Sequence, residues 1–329
     1  MFLKKLSQTA AVAAMSISMM TGAAQALDLR IGWTTSDGEK DPYAIAAHSF
    51  VKELSAALGE DVTAQYFPNN QLGDEREMLE AMNFGVMDVA VITNAAIANI
   101  QPGFQLIDMP FLFGNEEQAH TILDGDIGQE LMGRLEQNGI VGLGFAEGGF
   151  RNMINNVRPI NEPNDVEGIK FRVMQNRAFI DMFQALGGNA IPLAWGETYT
   201  ATQQGTIDGL EIPLAVIWAN KYADVTDYLS LTKHTYSALG LLISEKRFNS
   251  FSDEQKQAVR DAATKAIASQ RKQVAKNSTE LIGLLKEAGM KINEVKDPAQ
   301  FRSKVMSVYE TFKPSIGEDL LDKALSELQ

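Results

Sequence analysis

The sequence contains no cysteine, which at once excludes a disulfide scaffold, thiolate metal sites and a lipidated N-terminal cysteine. Histidine is almost as scarce, with only His48, His120 and His234. None has a partner at metal-ligand spacing, so all three read as ordinary helix or surface residues and no metal or cofactor is expected. Basic charge is also short: 29 Lys and Arg face 42 Asp and Glu, a net charge of −13. Nucleic acid is a poor partner for such a chain, because neutralising phosphates with basic side chains dominates that affinity. No P-loop, G-x-S-x-G elbow or H-E-x-x-H is present. "GLGFAEGG" (142–149) comes near a dinucleotide fingerprint, but its third glycine falls one place late. The following "FRNMINN" looks like a strand, where pyrophosphate binding needs a helix N-terminus.

The N-terminus has the make-up of a secretory signal. Lys4 and Lys5 precede an apolar stretch from Leu6 to Met20, and Ala24-Gln25-Ala26 forms a small-x-small cleavage site. Residues 1–26 are therefore expected to be removed, giving a periplasmic protein that begins at Leu27. Losing the two lysines takes the net charge from −13 to −15. No later run is long and apolar enough to span a bilayer. The remaining length, about 300 residues, suits two lobes stabilised by their cores alone. An anionic ligand would have to be drawn in by local arginines against the overall field.

Strand and helix patterns alternate from Leu29 onwards, which predicts an α/β fold with helices flanking the sheet. An internal echo supports two similar halves. "EMLEAMNFGVMDVAVI" (77–92) and "ETYTATQQGTIDGLEI" (197–212) align without gaps, with Glu77/Glu197, Ala81/Ala201, Gly85/Gly205, Asp88/Asp208 and Ile92/Ile212 coinciding. Each copy reads as helix, glycine turn, strand. Ligands of open α/β sheets bind beyond the C-terminal strand ends, which here sets Thr93 and Asn94 opposite Glu211 to Pro213. A further helix is predicted from Asp253 to about Gly289, with Ser252 and Gln255 as a capping box. At roughly 1.5 Å per residue it would run about 50 Å, long enough to be a spine crossing both lobes. The expected division is lobe 1 from 27 to 148 plus about 238–277, and lobe 2 from 149 to 237 plus about 278–329.

The binding candidates lie mostly in "GIKFRVMQNRAFIDMFQALGGNAIPLAWGETYTATQQGTIDGLEIP" (168–213). Arg172 sits in an otherwise apolar strand, where a guanidinium can clamp a carboxylate through two parallel hydrogen bonds or serve an interlobe salt bridge. Arg151, after the Gly148-Gly149 turn, is a second candidate. Trp195 covers a ligand face or belongs to the core. Gln175, Glu211, Thr93, Asn94 and Trp33 stand near predicted strand ends. No nucleophile or metal cluster accompanies them, so the pattern points to a protein that holds a small organic anion without transforming it.

At these residues the chain resembles the solute receptors of tripartite ATP-independent periplasmic (TRAP) transporters over nearly its whole length beyond the signal. The resemblance lies in "FPNNQLGDEREMLEAMNFGVMDVAV", "DMPFLF", "FRNMINNVRPINEPNDVEGIKFRV", "PLAWGETYTATQQGTIDGLEIP" and the long helix after "NSFSDEQ". It implies a monomeric, two-lobed receptor that closes on one solute and delivers it to an ion-driven membrane permease. It also implies that Arg172 grips the ligand carboxylate, Arg151 adds a contact, Trp195 packs on the ligand, and Thr93 or Asn94 supplies a polar contact. Many relatives read "DGQENP" where this chain has "DGLEIP", so Ile212 stands in place of an asparagine that often bonds the carboxylate. The alternatives are an ABC-type receptor, an exported enzyme using Glu197 and Arg172, or an extracytoplasmic sensor partner.

Overall fold

In the computed structural model, which describes residues 27–59 and 62–328, the predicted alternation becomes one nine-stranded mixed sheet flanked by helices. The signal segment lies outside the described residues. The strands are β1 (Leu27–Gly32), β2 (Val62–Phe67), β3 (Val89–Thr93), β4 (Ile140–Asn155), β5 (Lys170–Val173), β6 (Asn189–Pro192), β7 (Gly209–Pro213), β8 (Tyr228–Ser244) and β9 (Lys291–Glu294). Their order is β2-β1-β3-β8-β4-β7-β5-β6, with β9 added alongside β8. That order is a near-palindrome. β2-β1-β3 and β6-β5-β7 are matching parallel units, and the long antiparallel strands β4 and β8 join them.

The internal echo is therefore structural. Gly85 and Gly205 end equivalent helices with φ of 71° and 70°, a left-handed conformation that glycine takes without a Cβ clash. Asp88 then accepts the backbone N–H of Arg30 at 2.9 Å, tying β3 to β1. Asp208 accepts the N–H of Lys170 at 2.9 Å and ties β7 to β5 in the same way. Each repeat uses its aspartate to lock two parallel strands whose slanted ladders leave spare amides.

The spine helix runs from Asp253 to Glu287, 35 residues, and Ser252 and Gln255 cap it reciprocally as expected. A stripe of Val259, Ala263, Ile267, Val274, Leu281 and Leu285 is buried along it. Midway, Gln270 replaces a missing strand partner. Its amide accepts from Glu147 N at 2.9 Å and donates to Glu147 O at 2.8 Å and Pro42 O at 3.1 Å. This pins the spine to β4 at the bulge between Glu147 and Gly149. The near-fingerprint 142–149 lies inside β4, so it is strand and no phosphate loop.

Candidate functional site

The C-terminal ends of β1, β3, β5 and β7 meet around a cavity between the two halves. Its outer part holds about 490 Å³, within the range of small-molecule sites. A recess of about 30 Å³ continues it inward, about one water's share of space. Thr34, Glu75, Thr93, Arg172, Met174 and Trp195 wall both parts, while Arg151, Tyr43 and Ile212 close the recess.

Arg172 is a buried cation that has no ion-pair partner among the described residues. Strand β5 lies between β6 and β7, which explains its apolar neighbours Phe171 and Val173, both fully buried. The arginine emerges at the chamber, where its Nε and Nη2 donate to the Leu193 carbonyl at 2.9 and 2.7 Å. Those bonds aim the guanidinium without neutralising it. Among the described residues it has no carboxylate within salt-bridge distance. Burial pulls its pKa below the ordinary arginine value, but a group that starts so far above neutrality stays charged. Trp195 is the first residue of the helix Trp195–Gln203. Its ring centroid lies 6.0 Å from the Arg172 Cζ and 5.6 Å from the Tyr222 ring. The indole is half-buried and lines the cavity, so it is both wall and partial core.

Arg151 is differently committed. Its Nη2 donates to Glu211 Oε1 at 2.8 Å and also to the Glu211 carbonyl, while Nε takes Oε2. Phe179 covers the guanidinium at 5.4 Å. Glu211 receives a further contact from His234 Nε2 at 3.2 Å, and His234 Nδ1 meets Thr232 Oγ1 at 2.8 Å. A neutral imidazole satisfies both, donating from Nε2 and accepting at Nδ1, and burial keeps His234 below its ordinary pKa. Burial works against the Glu211 charge, yet Arg151 and His234 hold its pKa below the usual carboxylate value.

Three expected contacts are corrected by this geometry. Glu211 does not reach the ligand space, because Arg151 and His234 consume its carboxylate. Asn94 is turned away: its amide donates to the Phe104 carbonyl at 2.9 Å, since a helix starts at Asn94 and ends the strand alternation. Trp33 is fully buried in the core, its Nε1 on the Ser36 carbonyl at 3.2 Å. Thr93 and Ile212 do line the cavity, and Gln175 stands at its mouth. His234 is also unlike its sequence reading, being a fully buried strand residue. Glu197 is exposed on the first turn of its helix, away from Arg172's chamber.

The residue that sequence reasoning missed is Glu75. It begins the helix Glu75–Asn83, as Trp195 begins the equivalent helix of the second repeat, 120 residues on. Glu75 Oε1 accepts the backbone N–H of Thr93 at 2.8 Å. Burial pushes its pKa up to about 7. The repeat offset that relates it to Trp195 was the signal available.

Two other carboxyls are raised by burial, Asp108 to about 7 and Asp41 to about 6. A carboxyl raised in the folded state binds more protons there than when unfolded, so stability should fall as pH rises through those values. The melting temperature is expected to be higher at pH 5.5 than at pH 8. Glu211 sets the lower limit, because its depressed pKa means stability is lost as acid finally protonates it. A Tm that rises from pH 5.5 to 8 would contradict the burial of these groups.

Among the described residues no cluster of His, Asp and Glu is arranged to hold a metal ion, and no helix is long and apolar enough to cross a membrane. Comparison with known proteins gives a consistent picture. Residues 34–315 match the profile of bacterial extracellular solute-binding protein, family 7. The chain is 34% identical over 312 residues to the 2,3-diketo-L-gulonate-binding periplasmic protein YiaO of Escherichia coli K12, covering 94% of each. Among solved structures, it is similar to a TRAP periplasmic solute-binding protein from Polaromonas sp. JS666 bound to D-erythronate, at TM-score 0.88, 35% identity and coverage of 91% and 98%. It is also similar to one from Sulfurospirillum deleyianum with bound succinate, at TM-score 0.86, 28% identity and coverage of 92% and 98%.

Proposed function

The chain belongs to the bacterial extracellular solute-binding proteins of family 7, and from that premise we propose that it is a periplasmic receptor closing on a small organic acid held by Arg172. The family role is delivery to a TRAP permease, and its members are binding proteins, not enzymes. The observation that carries the ligand assignment is the Arg172 guanidinium: buried, aimed by Leu193, facing a cavity and free of any carboxylate partner among the described residues. A desolvated cation without an anion is costly, and a ligand carboxylate is the group that relieves it. Arg151 stands behind as a second positive group, Trp195 packs on the ligand, and Thr93 and Gln175 offer polar contacts.

The lobe boundaries proposed above, 148/149 and 237/238, find support in the register. Gly149 pairs with Ser237, and Glu147 with Ala238, at the β4 bulge. Bonds such as Asn176 Nδ2 to Ala95 O at 2.9 Å and Ser36 N to Asn220 Oδ1 at 3.0 Å would then cross between lobes, as in a closed receptor. Cleavage after Ala26, location in the periplasm and action as a monomer complete the reading. Proteoliposomes containing the cognate permease should take up the acid only when this protein is added. Uptake without it, or consumption of the acid by the protein alone, would contradict the receptor role.

Ile212 is proposed to tune selectivity. It is buried and closes the recess without a donor or acceptor. Ile212→Asn should weaken the natural ligand by roughly ten-fold or more and admit acids with a polar group at that spot, as expected when pocket polarity changes. An unchanged profile in a thermal-shift screen of organic acids would show that the side chain does not meet the ligand.

A further inference from the structure

Resting on the receptor reading above, we propose that Glu75 decides the charge of the ligand: the chamber holds an acid with one carboxylate and hydroxyl groups, and a second carboxylate enters only together with a proton on Glu75. D-erythronate and succinate, the ligands of the two similar structures, differ in this respect, and family membership does not choose between them.

The argument is a count of charges. The recess is walled by two cations, Arg172 and Arg151, and one carboxylate, Glu75, with Glu211 behind Arg151; Asp74, Arg76 and Glu80 wall only the outer part and add one further net negative charge. Arg151 and Glu211 cancel through their forked pair. That leaves Arg172 and Glu75 facing one cavity, where Thr93 and Met174 add no charge. A single ligand carboxylate on Arg172 already makes the set negative by one. A second would stand in the same cavity as Glu75, raising the local negative excess to two, and like charges confined together oppose each other.

The Glu75 carboxylate is set up to read hydroxyls. Oε1 is occupied by the Thr93 N–H at 2.8 Å, and Oε2 has no hydrogen bond from the described protein. A hydroxyl can donate to Oε2 when Glu75 is ionised and accept from it when it is protonated; a carboxylate can only accept. The helix Glu75–Asn83 and its N-cap Asp74 also contribute Asp74, Arg76 and Glu80 to the cavity wall. From other elements Glu75 is faced by Tyr43, Arg151 and Arg172. Tyr43 is raised well above its ordinary value and His234 is held neutral, so neither titrates with Glu75. Asp108 shares the neutral range and couples to Arg151. A Glu75 variant separates the two.

Calorimetry with matched pairs tests the rule: D-erythronate against meso-tartrate, and D-galactonate against galactarate. The members of each pair differ only in a terminal CH2OH or carboxylate. Wild type at pH 8 should favour the monoacid by at least about ten-fold. Diacid affinity should rise about ten-fold from pH 8 to pH 6, with proton uptake seen as a dependence of the measured heat on buffer ionisation. Glu75→Gln keeps an oxygen for the Thr93 amide; it should bind diacid and monoacid within about three-fold, with no proton uptake by the diacid. A wild type that binds a diacid as tightly as its monoacid at pH 8, or a Glu75→Gln variant that retains the pH dependence, overturns the charge rule and leaves the receptor reading standing. Binding of neither member of either pair overturns the receptor reading and the rule with it.

Discussion

Arg172→Ala should leave no binding measurable by calorimetry for any acid the wild type holds, while the melting temperature of the ligand-free protein stays the same or rises. Removing one partner of a desolvated, hydrogen-bonded charge pair costs about 2–5 kcal/mol, which takes a micromolar ligand towards millimolar or weaker. The stability half is the stronger discriminator. In the ligand-free protein Arg172 is a buried cation whose hydrogen bonds, among the described residues, go only to the Leu193 carbonyl, with Glu75 facing the same cavity unbonded to it, so its removal relieves a desolvation penalty. A structural arginine would show the reverse. Arg172→Lys should also bind poorly, because an ammonium lacks the planar fork that meets two carboxylate oxygens. Near-normal affinity in the lysine variant would contradict a bidentate clamp.

Glu211→Ala should destabilise the fold severely, by about 3–5 kcal/mol, the usual cost of leaving one half of a buried ion pair without its partner. In a chain of this size that is roughly ten degrees in Tm. Arg151 would lose both carboxylate contacts and be left as a buried cation with the backbone carbonyl of residue 211, Ser237 Oγ at 3.5 Å and the face of Phe179. Arg151→Ala should destabilise comparably, since it strands the carboxylate, yet lose less affinity than Arg172→Ala because its charge is already spent on Glu211. Arg151→Met combined with Glu211→Leu should recover most of the stability lost by either single variant. If Arg151→Ala loses more affinity than Arg172→Ala, the two arginines have exchanged roles.

Much of this was legible because some signals are local. The helix–glycine–strand repeat needs only short-range patterning, and Asp88 and Asp208 kept the same backbone task in both copies. Arg172 announced itself as a charge between two apolar residues, Phe171 and Val173, and the spine helix through its cap. What failed was long-range or a matter of a single residue. Glu211 and His234 meet across strands 23 positions apart, a pairing that no spacing rule encodes. Asn94 missed the chamber because a helix begins there directly after Thr93, turning its side chain to the Phe104 carbonyl. Trp33 lies beyond the end of β1 and turns into the core. Glu75 was overlooked for a different reason: an acid in the first turn of a helix is favoured there by the dipole alone, and only its repeat equivalence to Trp195 marked it as facing a ligand.

The most direct measurement is a thermal-shift comparison of each acid with its uncharged counterpart: D-erythronate against erythritol, and D-galactonate against galactitol. The pairs share chain length and all other hydroxyls and differ at one end, where a CH2OH replaces the carboxylate that Arg172 is held to grip. A ligand that binds only the folded state adds about 2.7 kcal/mol when present at a hundred times its Kd. At least one acid should therefore raise Tm by several degrees while its alditol leaves Tm unchanged. Equal stabilisation by acid and alditol, or by the alditol alone, would contradict recognition through the carboxylate.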